Sequence, residues 1–270
     1  VIQLAEVPLS QSTMEMLAAY QAHVNAAPSF AERVRLAKER FAATNVRSNV
    51  TFREVRQALG SMCSGARRCM YCEDSVADEV EHHRPKTLYP GLTFEWGNLL
   101  YACGTCNGPK GNKFAVIVDA QIREVVRRPD SDQSPPPVAP SAMIHPRSED
   151  PLQFLFLDLA GETYRFVPHP EADRIGQDRA RYTIDVLSLN KNDFLVAARA
   201  DAFQSYSSRL WDYSHGRYAD APAQSRNRQR DAILRMHHPT VLREMIRQAQ
   251  HLPTIEKILA ASPEIATWIQ

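Results

Sequence analysis

Two Cys-x-x-Cys knuckles, Cys69/Cys72 and Cys103/Cys106, constrain this chain more than any other feature. Four thiolates in two knuckles close a tetrahedral shell round one zinc ion, and a shell closed by four sulfurs leaves the metal no open position for a substrate. The zinc expected here is therefore a structural staple for the stretch it encloses. That stretch carries Glu81, His82, His83 and Asn98, and Asn107 and Lys110 follow just beyond it. A carboxylate suits a hard divalent cation, an imidazole titrates near neutrality, and amides and a lysine complete a set able to work on an anionic substrate.

The fifth cysteine, Cys63, reads as a small buried apolar residue. Cysteines grouped in knuckles mean metal rather than disulfides, so a reducing compartment, the cytoplasm, is expected. A hydrophobic share of 44% with 23% charged residues describes a soluble globular chain. No apolar run is long enough for a membrane span, and the first residues lack the basic and apolar regions of a signal peptide. The net charge of +1 hides an uneven distribution. Residues 29–68 hold nine Arg/Lys against three Glu, residues 149–173 hold six acids against Arg165 alone, and Arg226, Arg228, Arg230, Arg235, Arg243 and Arg247 form a second basic run. Arginine forks suit phosphate, so the basic stretches are candidates to flank a nucleic-acid groove, against the plainer reading of solvated helix faces.

Apolar spacing predicts a helix over 13–26. Ser29 to Glu32 and Thr51 to Glu54 each read as a capping box opening a further helix. The sequence predicts a strand over 78–83, a loop over 85–97, a returning strand over 98–102 and a helix from Cys106 onward. Residues 115–126 are apolar but ambiguous. Five prolines between Pro129 and Pro140 exclude regular structure there and mark a linker or wrapping arm. Alternation on both sides of Ala160-Gly161 predicts a β-hairpin, and the remainder reads as helices over 180–189, 193–215, 225–238, 240–250 and 254–270. The expected class is α+β, mainly helical. Its expected regions are N-terminal helices over 1–68, a zinc-stapled core over 69–128, a proline-rich linker over 129–141 and a mostly helical region over 142–270 that docks a partner.

The run Glu81-His82-His83-Arg84-Pro85, then Asn98-Leu99-Leu100, then Cys103 to Lys110 resembles the HNH endonucleases of the ββα-metal type in their zinc-knuckle variant. The downstream stretches 145–151 and 183–199 look like the HNH nucleases found beside ATPases in Septu-type antiphage systems and related retron cassettes. The resemblance implies a small ββα-metal core and hydrolysis of phosphodiester bonds in DNA with one Mg2+ or Mn2+. It implies Glu81 and Asn107 as ligands of that ion, His82 as general base, Asn98 as the residue fixing the loop that orients the base, and Lys110 as a phosphate contact. His83 stands where the family has an apolar residue, which leaves open a register with His82 on the metal and His83 as base. Arg47, Arg53, Arg56, Arg84, Lys86 and Lys113 are the expected nucleic-acid contacts. With no Walker A motif in the chain, the resemblance implies an ATPase partner through which the nuclease assembles. Two alternatives stay open: a zinc-stapled binding or adaptor subunit that does not cut, and an HNH nuclease acting on RNA such as tRNA.

Overall fold

The structure is a computed structural model that describes residues 2–126 and 135–269. Three helices come first: α1 (Gln11–Asn25), α2 (Phe30–Thr44) and α3 (Val50–Met62). Ser29 opens α2 as expected, its Oγ accepting from Glu32 N at 3.3 Å. The second expected capping box does not form. Asn49 caps α3 instead, with Oδ1 accepting from Phe52 N at 3.0 Å. Glu54 turns away to the start of α1, where it accepts from Ser10 N at 2.6 Å and Thr13 Oγ1 at 2.7 Å. A carboxylate that ties two helices together gains more orphan donors than one folded back on its own first turn.

The stapled region follows as β1 (Glu79–His82), β2 (Leu99–Ala102) and α4 (Gly104–Lys110). β1 and β2 are antiparallel, with Glu81 opposite Leu100 and His82 opposite Leu99. β1 is one residue shorter than expected at each end, β2 begins one residue later than expected and ends where expected, and α4 begins two residues earlier than the sequence suggested. Pro109, which cannot donate to the ladder, lies in its last turn, and Gly111 ends it at φ +46°. The loop between the strands is held by α1: Gln21 Nε2 donates to Pro90 O at 3.1 Å and Gln21 Oε1 accepts from Phe94 N at 2.9 Å. Phe94, buried in that loop, packs edge-on to Tyr20 and Phe52 and tilted to Phe41, so the N-terminal helices cover the core directly.

The ambiguous stretch 115–126 is a hairpin, β3 (Ala115–Val118) with β4 (Gln121–Glu124). Its turn residues Asp119 and Ala120 both have positive φ, +52° and +53°, the conformation usually given to Asn-Gly, which is why no turn signal was legible. Of the proline-rich arm, residues 129–134 lie outside the described residues. The rest lies along β3, with Ile117 N donating to Pro140 O and Ala142 N to Ala115 O, each at 2.9 Å.

The later half contains the expected hairpin, β5 (Leu155–Leu157) with β6 (Phe166–Pro168). After it come α5 (Arg174–Val186), α6 (Asp193–Ser214), α7 (Ala223–Leu234), α8 (Pro239–Arg247) and α9 (Pro253–Ala261). This half shares one buried cluster with the rest, running from Leu17 and Phe52 through Leu99 and Leu100 to Leu210, Met245 and Ile258. Polar groups also cross the boundary. Glu73, directly after the first knuckle, accepts from Thr240 N at 3.1 Å and so caps α8. Buried Arg147 donates to the carbonyls of Trp96 and Leu99, both at 2.6 Å, and pairs with Glu6 at 2.7 Å. The acidic zone and the C-terminal basic run meet in part, Arg243 pairing with Asp150 at 2.6 Å, and Arg179 of the later half pairs with Glu149, also at 2.6 Å. Arg226 pairs with Glu264 at 2.6 Å and Arg247 with Glu244.

Candidate active site and metal centre

The sulfurs of Cys69, Cys72, Cys103 and Cys106 lie within 4.8 Å of one another, and all four residues are buried. The Cys72 and Cys103 sulfurs are 3.8 Å apart. A tetrahedron with zinc–sulfur bonds of about 2.3 Å has edges of about 3.8 Å, the length of the Cys72–Cys103 edge. Without a cation these thiols compete for protons. A hydrogen bond with Cys106 holds Cys103 well below the usual thiol range, and the same bond pushes Cys106 up. A dication removes that conflict by stabilising all four as thiolates. Four buried cysteines so placed fit a structural metal ion such as zinc.

Alternation along β1 puts Glu79 and Glu81 on one face, and His82 packs on the other against Phe41, with 4.5 Å between ring centroids. Glu81 is 3% exposed. One of its oxygens accepts from Tyr71 Oη at 2.7 Å, and the other is ion-paired with the fully buried Lys110. Lys110 Nζ also donates to His82 O at 2.8 Å. Burial, and then the Glu81 charge, push the Tyr71 hydroxyl well above its usual range, so it stays protonated and donates. Asn107 is placed by α4 beside Glu79, with Nδ2 donating to Glu79 Oε2 at 2.6 Å. Glu81 and Asn107 thus project from adjoining elements, but each is hydrogen-bonded to a different neighbour.

His82 is held in one tautomer. The Thr93 carbonyl can only accept, so His82 Nε2, 3.0 Å away, carries the proton and Nδ1 keeps a lone pair. Burial, then the Lys86 charge, push this imidazole down to about 3, so it is neutral at physiological pH. The loop that presents Thr93 is pinned by Asn98. Its Oδ1 accepts from Arg84 N at 2.8 Å, and its Nδ2 donates to Leu92 O at 2.9 Å and Arg84 O at 3.1 Å. His83 faces away from His82, into a recess with Ser141 and His145. Burial first, then His145 and Lys110, hold it well below the usual imidazole range.

The expected nucleic-acid contacts are dispersed. Arg56 is occupied at the end of α2, donating to Asn45 Oδ1 and Val46 O at 2.8 Å each. Arg47, Arg53 and Lys113 are exposed, and Lys86 Nζ lies 4.9 Å over the Phe41 ring beside His82. Arg84 lies over Tyr89 and Phe114. Sequence reasoning missed Tyr71 and Thr93, which hold Glu81 and His82. Tyr71 lies inside the first knuckle, which was a usable signal, whereas a backbone carbonyl carries none.

No family model matches the chain. Among curated proteins, the Septu protein PtuB of Bacillus thuringiensis is 49% identical over 49 residues, which cover 16% of this chain and 19% of PtuB. The chain thus spans about a fifth of the curated relative it matches, and over that stretch it is similar to a Septu protein.

Proposed function

We propose that this chain is a metal-dependent HNH endonuclease that hydrolyses phosphodiester bonds in DNA, in an antiphage defence system of the Septu kind. The observation that carries the reading is His82. Its Nε2 proton is committed to Thr93 O on a loop pinned by Asn98, and its Nδ1 lone pair has no partner among the described residues. Thr93 O also stabilises the imidazolium formed when Nδ1 takes a proton from the attacking water, as a general base does. An Mg2+ or Mn2+ ion held by Glu81 and Asn107 would neutralise charge on the phosphoryl and leaving oxygens. Lys110, released from Glu81, contacts the phosphate, and Lys86 adds positive charge beside His82. His82 is preferred as base over His83 because the loop pinned by Asn98 orients it through Thr93 O.

The likeness to a Septu protein supports the defence role. In this reading an ATPase partner restrains or delivers the nuclease and docks on the outward faces of the 142–270 helices, since their inward faces belong to the shared core.

Nicking of supercoiled plasmid with Mg2+ or Mn2+ tests the proposal. His82→Ala should lose about 10²- to 10⁴-fold in rate, the usual cost of removing a general base. One observation favours a non-cutting binding subunit instead: both Glu81 oxygens are already engaged, by Tyr71 and Lys110. A zinc-loaded wild type that binds DNA but never nicks would establish that second reading.

A further inference from the structure

Beside the strand that carries Glu81 and His82 lies an open cavity of about 330 Å3 that the hydrolytic reading leaves unused. Its polar lining includes His83, Arg84, Ser141, His145, Glu149 and Arg179. Counting donors and acceptors fixes the state of His83. The Met143 carbonyl can only accept, so the Ser141 hydroxyl donates to it, at 2.8 Å. Ser141 Oγ must then accept from His83 Nε2, 3.0 Å away, which leaves Nδ1 as a bare lone pair. That Nδ1 is buried with no hydrogen-bond partner, in a residue 2% exposed. A buried acceptor left without a donor is uncommon in folded proteins and points to a group the protein alone does not supply.

The neighbours narrow the choice of ligand. His145 is fully committed: its Nδ1 accepts from Arg147 N at 3.2 Å and its Nε2 donates to Gly97 O at 3.0 Å. The two imidazoles, 4.1 Å apart, are therefore not a metal pair. Arg179 is matched by Glu149. Arg84 is not matched by any carboxylate among the described residues. It stacks 5.0 Å from the Tyr89 ring centroid and 5.1 Å from that of Phe114, and it gives one N–H to Ala139 O at 2.8 Å. A stacked arginine with free donors is suited to phosphate. A phosphodiester alone has no proton for His83 Nδ1, whereas a nucleotide has a base amino group or a ribose hydroxyl.

We propose that this cavity is a subsite for one unpaired nucleotide of the strand being cut, with Arg84 on its phosphate and His83 Nδ1 accepting a hydrogen bond from its base or sugar. The assignment rests on the nuclease reading above. His83 follows His82 directly on β1 but faces the other way, so the subsite takes a nucleotide flanking the one at the proton acceptor. A base enters such a recess only when out of its stack, which makes single-stranded or locally opened nucleic acid the favoured substrate.

The test uses the full zinc-loaded chain with 15N-labelled histidine, titrated without divalent metal against AMP, dAMP, ribose 5-phosphate and inorganic phosphate. The His83 Nδ1 resonance should move with AMP, and His83→Phe should bind AMP about tenfold more weakly, the effect of losing one hydrogen bond to a buried nitrogen. A dAMP response equal to that of AMP, with ribose 5-phosphate silent, makes the base the donor. A response to AMP and ribose 5-phosphate but not to dAMP makes the 2′-hydroxyl the donor. No movement with any nucleotide, or the same movement with inorganic phosphate, overturns the subsite. A chain that binds AMP at His83 but never nicks plasmid keeps the subsite and removes the hydrolase reading; one that nicks yet leaves His83 unmoved does the reverse.

Discussion

Replacing Lys110 by methionine isolates a fully buried ion pair, Lys110 with Glu81. Lys110 is fully buried, Glu81 is 3% exposed, and each is the other's ionic partner. Methionine keeps the length and apolar contacts of the lysine stem but leaves the Glu81 carboxylate with only the Tyr71 hydroxyl. Breaking a buried ion pair from one side costs about 3–5 kcal/mol, because the surviving charge stays in a low-dielectric site. At roughly 2–4 °C per kcal/mol for a chain of this size, the melting midpoint should fall by about 6–20 °C. Adding Glu81→Gln to Lys110→Met should recover most of that loss. The recovery is incomplete, since the glutamine amide leaves a buried donor worth about 1–3 kcal/mol. Urea unfolding of the wild type, both single variants and the double variant completes the cycle. Because Glu81 is also the proposed ligand of the catalytic ion, Mn2+ should raise the midpoint of Lys110→Met more than that of the wild type, the cation taking the place of the lost ammonium. The reasoning fails if Lys110→Met unfolds within about 1 kcal/mol of the wild type, or if the two substitutions simply add.

Cys69→Ser or Cys103→Ala, or a strong chelator, should leave the chain insoluble or far less stable, since zinc binding in a four-cysteine cage contributes about 10 kcal/mol or more of folding free energy; a zinc-free quadruple variant that melts like the wild type would refute the cage. Stability should fall on acidification: His82 has a pKa of about 3 in the fold against 6.5 ordinarily, so between those values the unfolded chain binds a proton the native chain refuses. The contribution is complete above pH 6.5 and declines as pH falls toward 3, at up to about 1.4 kcal/mol per pH unit. His82→Leu should flatten the slope of urea-unfolding free energy between pH 5 and 7. Truncation after Ser141 should give an aggregated fragment, because it removes α8, whose cap is Glu73, and Arg147, which holds the carbonyls of Trp96 and Leu99; a soluble fragment with a cooperative melt would show that the stapled region folds alone.

The sequence by itself determined the cysteine cage, the order strand–loop–strand–helix and most helices, because each is written in local pattern: the two knuckles, the alternation through Glu81, the apolar period of α1 and the capping box of α2. What sits on Glu81, His82 and His83 was not legible. Tyr71, Lys110, Thr93 and Ser141 reach them across the fold, and two of the deciding groups, the carbonyls of Thr93 and Met143, are backbone atoms that any residue carries. The same distinction explains Glu54, read as a local cap but used across helices, and the charge runs, read as surfaces but in part spent on each other through Arg243–Asp150. Spacing along a chain fixes which face of an element a residue occupies. Only tertiary structure decides what lies opposite that face, and burial there sets whether a carboxylate is an ion-pair partner or a ligand and which nitrogen of a histidine keeps its lone pair.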